Sequence, residues 1–356
     1  MRGCALSKYS FINAKLRARI SKIISDDLLH RIAKVSSLDE VFVLLRETSF
    51  VNLGKIYAET GDLKQVELEL LKNEIDLYRN IRVHLDADSR ELVDVLLSRF
   101  EIDNLKNTIR VYFSRKIHQE ANPGAGHYIL YEPIIHKIPF DLIVNATSFE
   151  EIAGLCKATP YREIISQYSQ EVVKNGSLFR MEIAFDHFYY DSLLAVINKL
   201  ASGDRDIALR LIGVEIDLQN IAWIMRLKKF YGLSWQQIQT AIIPGGLSLN
   251  EAAVEDLYRS ENVLSALHGF VKDRYPALST LLSSQSSGSS SQLLLIHRIL
   301  DEIRKQEVKR ILSGYPFTVG IILAYFILKN EELKKIRMLL NAKQYGQPTE
   351  KIESMI

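Results

Sequence analysis

Three stretches separated by more than a hundred residues follow one template, and any fold for this chain has to accommodate all three. Arg99 to Arg110 reads RFEIDNLKNTIR, Gly213 to Arg226 reads GVEIDLQNIAWIMR, and Asn330 to Asn341 reads NEELKKIRMLLN. In each, an acid (Glu101, Asp217, Glu332) stands three residues before a polar anchor (Asn104, Asn220, Lys335), and an aliphatic residue follows the anchor at once (Leu105, Ile221, Ile336). Ile109, Met225 and Leu340 come five positions after the anchor, and Arg110, Arg226 and Asn341 six after it. The anchors are 116 and 115 residues apart. That period is far longer than the ~34 to 47 residues of helical solenoid repeats, so the expectation is a chain built from three similar units, residues 1–121, 122–236 and 237–356.

The units read as all-α. Apolar residues recur at three- and four-residue steps over Leu63 to Tyr78, and again along the first echo, where Ile102, Leu105, Ile109, Tyr112 and Phe113 form a stripe. The opening FINAKLRARISKII predicts a basic amphipathic helix with Phe11, Leu16, Ile20, Ile23 and Ile24 on its apolar side, while Lys15, Arg17, Arg19 and Lys22 spread over the rest. Such a helix can be a core-packing element with a solvated basic face, or one that meets a membrane surface or a partner. Ser37 or Asp39 is placed to cap a short helix, and Ser148 with Glu151 to form a capping box. Residues 128–145 are rich in Ile and Tyr, but Pro133 and Pro139 argue for an extended linker ahead of a short helix. Helices are expected over Leu178 to Leu200, Ala208 to Lys229, Ala253 to Tyr275 and Leu293 to Leu312, with a last long one carrying the third echo. The run Ser283 to Ser291 has nothing to bury and predicts a flexible loop.

Composition excludes several classes of function. The chain has 356 residues, 47% hydrophobic and 25% charged, with a net charge of +2, so it carries no general field for polyanions. That charge is uneven: residues 1–35 carry +6, residues 296–356 carry +4, and the middle is −8. Cys4 and Cys156 make no disulfide framework and no CxxC, which points to a reducing compartment. No signal peptide is expected, because basic residues interrupt the first twenty positions. The longest apolar run, GIILAYFIL from Gly320 to Leu328, is far short of the ~20 residues needed to span a bilayer.

Catalytic constellations are equally absent. Asp26-Asp27 begins a DDxxD-like motif that His30 breaks and no second acidic motif completes. The Gly-x-Gly within EANPGAGH (Glu120 to His127) lacks GK[ST] and reads as a turn. His187, among Phe185, Phe188, Tyr189 and Tyr190, reads as a packed, hydrogen-bonded histidine rather than a metal ligand. No catalytic, cofactor-binding or metal-binding residue is assigned. The repeated acid and arginine lie nine residues apart, on nearly opposite helix sides, so they cannot pair locally. Either each pairs with another helix of its own unit, or the set lines a shared central surface.

The opening Ser10 to Arg17 (SFINAKLR), the repeat itself and above all Pro316 to Pro348 (PFTVGIILAYFILKNEELKKIRMLLNAKQYGQP) resemble the C subunit of archaeal and bacterial V/A-type rotary ATPases, a family that also includes the d subunit of the eukaryotic vacuolar enzyme. The resemblance covers nearly the whole chain; the serine-rich run, and Lys335 with Asn341 in the third echo, depart from the pattern. It implies three similar helical domains in a pseudo-threefold funnel, peripheral on the cytoplasmic face of the membrane. It also implies a non-catalytic component that joins the membrane rotor ring to the D and F subunits of the central stalk and transmits torque for proton or sodium transport. A helical adaptor without enzymatic activity is the competing class. On either reading no cofactor is expected, and Lys15, Arg17, Arg19, Arg110 and Arg226 are the candidate partner contacts.

Overall fold

The computed structural model describes residues 2–116, 129–260, 271–272, 275–278 and 289–353, and among them every regular element is helical, without a strand. In chain order these are α1 (Arg2–Ile20), α2 (Asp26–Lys34), α3 (Leu38–Leu45), α4 (Leu53–Thr60), α5 (Leu63–Arg82) and α6 (Ala87–Lys116). Next come α7 (Phe140–Asn145), α8 (Phe149–Leu155), α9 (Tyr161–Asn175), α10 (Phe179–Lys199), α11 (Ser202–Tyr231), α12 (Trp235–Gln239) and α13 (Glu251–Arg259). After a single 3₁₀ turn at Pro276–Leu278, α14 (Ser289–Ser313), α15 (Gly320–Gln344) and α16 (Thr349–Glu353) complete the series. The helices form two compact units, one of Met1–Leu63 with Ala201–Ile356, the other of Lys64–Leu200.

The three echoes occupy the long helices α6, α11 and α15. In the second unit α6 packs against α7 and α10, burying Ile102, Leu105, Ile109, Tyr112 and Phe113 as the sequence predicts. In the first unit α15 packs against α1 and α14, and α11 against α13 and α14. Gly320 lets α15 start hard against its neighbours. A Cβ there would lie 2.6 Å from Ile311 Cγ2 and 3.0 Å from Ile207 Cγ2, both on stiff branched side chains. Asp204 fastens the same corner, accepting from the Tyr9 hydroxyl at 2.6 Å and the Val319 amide at 2.8 Å.

The local punctuation repeats too, at a spacing of 111 residues. Ser37 caps α3 by accepting the Glu40 amide, and Ser148 caps α8 by accepting the Glu151 amide. Each glutamate carboxylate then reaches the residue before the cap, Ser36 or Thr147, rather than the cap's own N–H, so the arrangement is a capping box displaced by one residue. Thr48 and Thr159 close the helix ends that follow and accept the amides of Phe50 and Tyr161.

Some expectations require correction. Phe11 is 61% exposed, and the buried face of α1 is Tyr9, Ile12 and Leu16. Steps of three and four residues connect those positions, whereas Phe11 lies about 140° around the helix from Leu16. The helix also ends at Ile20, leaving Ile23 and Ile24 outside it, although Ile24 is buried as expected. Helix α13 stops at Arg259, because Ser260 takes an extended conformation (φ −61°, ψ 130°). The Gly-x-Gly turn and residues 283–288 of the serine-rich run lie outside the described residues, and Ser289 to Ser291 already belong to α14.

Between α11 and α14 a forked ion pair joins Arg210 to buried Glu307 at 2.8 and 2.9 Å, with the Tyr275 hydroxyl 3.1 Å away. Burial pushes the Glu307 carboxyl up, but the hydrogen bond and charge of Arg210 outweigh it and hold the group below the usual carboxylate range. A depressed acid stabilises the fold above its unfolded value of about pH 4.3 and loses that contribution as pH falls through the folded value. Urea unfolding between pH 7 and 3 is expected to show this acid-side loss, and Arg210→Met to flatten it.

Candidate functional site: three carboxylate clamps

The repeated acids sit where a carboxylate is hardest to keep. Glu101, Asp217 and Glu332 are 0, 1 and 4% exposed, and a buried charge is tolerated only with hydrogen-bond donors around it. The donors are backbone amides of a non-helical strap crossing the long helix. Glu101 Oε2 accepts from Ile135 and His136 at 2.8 and 2.7 Å. Asp217 accepts from Ser248 and Leu249 at 2.8 and 3.1 Å. Glu332 Oε1 accepts from Ile24 at 2.8 Å, so the last long helix of the chain grips a strap near its beginning.

The anchors complete two of the clamps. Asn104 donates to the Leu130 carbonyl and accepts from the Leu130 amide, both at 2.8 Å. Asn220 does the same with Ile243, both at 2.9 Å. A side-chain amide is the group that matches one residue's C=O and N–H together, which is why asparagine holds the position twice. The 111-residue register would put the third partner at Arg19, inside α1, where the backbone N–H is already spent on the helix. An asparagine would find no free pair there. Lys335 stands instead, with Nζ 3.6 Å from Asp26.

Each clamp has its own finish. In the first, His136 Nδ1 lies 2.6 Å from Glu101 Oε1, and the Tyr161 hydroxyl donates to the same oxygen at 2.9 Å. At the second, a Cβ on Gly246 would lie 2.1 Å from Asp217 Oδ1, so only glycine lets the strap come this near. At the third, Phe50 replaces the tyrosine and lacks the hydroxyl; Lys329 Nζ lies 4.4 Å from its ring centroid and 2.6 Å from Glu332 Oε2. The sequence signals for these partners were the Pro244-Gly245-Gly246 turn and the alignment of Phe50 with Tyr161 at 111 residues, neither of which the echo template contains.

The candidate contact residues are divided between the two units, Arg110 in one and Lys15, Arg17, Arg19 and Arg226 in the other. Arg110 pairs across helices with Glu182 of α10 at 2.6 Å and donates to Asn107 of its own helix at 2.9 Å, and Lys106 nearby pairs with Asp186 of α10. Arg226 is exposed and makes no ion pair among the described residues. On α1, exposed Arg17 donates to the Leu312 carbonyl at 2.9 Å, so its head is tied down on the surface of its unit. Arg19 turns toward Tyr325, and its Nη1 is buried without a partner. Lys15 lies over the exposed Phe11 ring, 5.8 Å from its centroid, its pKa lowered by burial and then by the Arg19 charge.

Nothing in this arrangement has the form of a catalytic centre. The described residues hold no group of three or more His, Cys, Asp and Glu able to bind a metal. Burial, followed by the Glu101 charge, pushes the Cys156 thiol up to about 12, so it is not a nucleophile at neutral pH. His187 is half-buried, and its Nε2 is buried without a hydrogen-bond partner, against the expectation of a hydrogen-bonded ring.

Comparison with known proteins assigns the three-clamp chain to a family. The profile of the family described as ATP synthase (C/AC39) subunit matches residues 12–355. The chain belongs to this family. Curated relatives of the C/AC39 chain include the A-type ATP synthase C subunit of Methanosphaera stadtmanae, 24% identical over 349 residues, covering 98% of this chain and 87% of the relative. The corresponding C subunit of Pyrococcus abyssi is 23% identical, with coverage of 98% and 90%. That of Methanothermobacter thermautotrophicus is 24% identical, with coverage of 99% and 88%. In this C/AC39 family member the clamps are architectural, and removing an anchor tests them. Asn104→Ala or Asn220→Ala orphans a buried N–H and C=O together, an expected loss of ~2 to 4 kcal/mol measured by denaturant unfolding. Arg226→Ala, on the surface, is expected to stay within ~0.5 kcal/mol.

Proposed function

We propose that this chain is a non-catalytic subunit of a V/A-type rotary ATPase or ATP synthase, coupling the membrane rotor ring to the central stalk and transmitting torque for proton or sodium transport. The observation that carries the proposal is the family match, which spans residues 12–355 and so nearly the full length. Its partners are the D and F subunits of the central stalk on one side and the proteolipid ring on the other, and its place is peripheral, on the cytoplasmic face of the membrane. No helix among the described residues is long and apolar enough to cross a bilayer, which agrees with attachment through the complex.

The role asks for a stiff body and two binding surfaces rather than a nucleophile. Long helices cross-braced by buried carboxylates supply stiffness. The recurrence of one clamp at Glu101, Asp217 and Glu332 supports three units, residues 1–121, 122–236 and 237–356, in a pseudo-threefold funnel. Lys15 and Arg226 are the candidate contacts whose charged heads make no hydrogen bond or ion pair among the described residues. Arg110 is engaged by Glu182 and Arg17 by Leu312, so both serve the body first.

The test is binding of the full chain to a purified stalk heterodimer and to a detergent-solubilised rotor ring. Submicromolar binding to both is expected, and binding to neither would remove the proposal. Lys15→Glu with Arg226→Glu is expected to weaken one of the two interactions by roughly 3- to 10-fold at low salt, a difference that shrinks as ionic strength rises.

A further inference from the structure

The three clamps hold their straps with unequal numbers of bonds, and the difference assigns a movable part. At the first, four backbone groups are gripped: the Ile135 and His136 amides by Glu101, and both polar groups of Leu130 by Asn104. The second repeats that grip on Ser248, Leu249 and Ile243. The third holds one backbone group, the Ile24 amide, and its anchor has become Lys335.

The charge on the acid decides what lifting a strap would cost. If the first strap leaves, Glu101 loses two amides and the His136 ring together and keeps only the neutral Tyr161 hydroxyl. A buried carboxylate stripped in this way is strongly unfavourable. When the third strap leaves, Glu332 keeps the Lys329 ammonium at 2.6 Å, itself 12% exposed and held against Phe50. The cation stays with the acid, so the acid does not need the strap. Both flanking helices are fastened elsewhere: α1 by Tyr9 to Asp204, and the end of α2 by Lys343, which donates to the Ala33 and Val35 carbonyls at 2.6 Å. The connection between them can therefore open without undocking either.

We propose that residues 21–25 form a releasable strap, the one clamp of the three built to open, with Lys329 as the counter-ion that keeps Glu332 neutralised in the open state. The strap joins α1 to α2, and its opening frees only residues 21–25 while both helices stay docked.

Native-state hydrogen exchange on the full chain, read amide by amide, tests this. The Ile24 amide is expected to show a protection factor at least ~10-fold lower than those of Leu130, Ile135, His136, Ile243, Ser248 and Leu249. Equal or greater protection at Ile24 overturns the proposal. Lys329→Met is the second arm, keeping the stem over Phe50 while deleting the charge. Although it lowers the stability of the unit, it is expected to raise Ile24 protection several-fold at pH 7, because Glu332 then depends on the strap amide. A purely structural Lys329 predicts the reverse, so unchanged or faster Ile24 exchange in this variant also overturns the proposal.

Discussion

A carboxylate removed from water and given backbone amides in exchange is the interaction on which the rest of this structure depends. Glu101, Asp217 and Glu332 each lie on the buried face of a long helix, where an acid would ordinarily be excluded, and each stays because a strap delivers N–H groups to it. The dependence runs both ways. A non-helical strap pressed against a helix has backbone polar groups that need partners, and the acid and the asparagine meet that need in one place. Neither the buried charge nor the buried strap is tolerable alone.

The same slot has been filled three ways, and each version follows from what enters it. Non-helical chain arrives at Leu130 and Ile243, its N–H and C=O both open to a side chain, and asparagine is the complement. A helix arrives at Arg19, its backbone already satisfied, and a lysine facing Asp26 takes over. Where Tyr161 supplies a hydroxyl to Glu101, Phe50 supplies a ring face, and Lys329 brings both a cation for that ring and a charge for Glu332. For a protein proposed to carry torque, bracing by buried charge has a further merit: the bonds are few, directional and shielded from salt, unlike surface ion pairs.

Much of this was legible in advance and some was not. The helices around Ile102, Leu105 and Ile109 were readable because burial on one helix face imposes a three- and four-residue rhythm. Around Phe11 the rhythm of α1 is weak, because a basic helix that buries only a narrow stripe leaves aromatic residues free to face solvent. The break at Ser260 is marked by no proline or glycine. The partners of the acids were hidden for a different reason. A strap 31 to 35 residues downstream, or some 308 upstream for Glu332, leaves no periodic trace, and backbone amides look the same in every sequence.

By itself the sequence determined that the chain is helical and that its long helices share an acid, an anchor and an aliphatic at fixed spacing, because local helix geometry and apolar periodicity are written residue by residue. Tertiary structure alone decided what the echo is for. Nine residues of separation ruled out a pair between Glu101 and Arg110, and only the fold could send the acid to the Ile135 and His136 amides and the arginine to Glu182. The physical reason is that a buried charge is governed by whichever donors the packed chain brings within about 3 Å, and that neighbourhood exists only after folding.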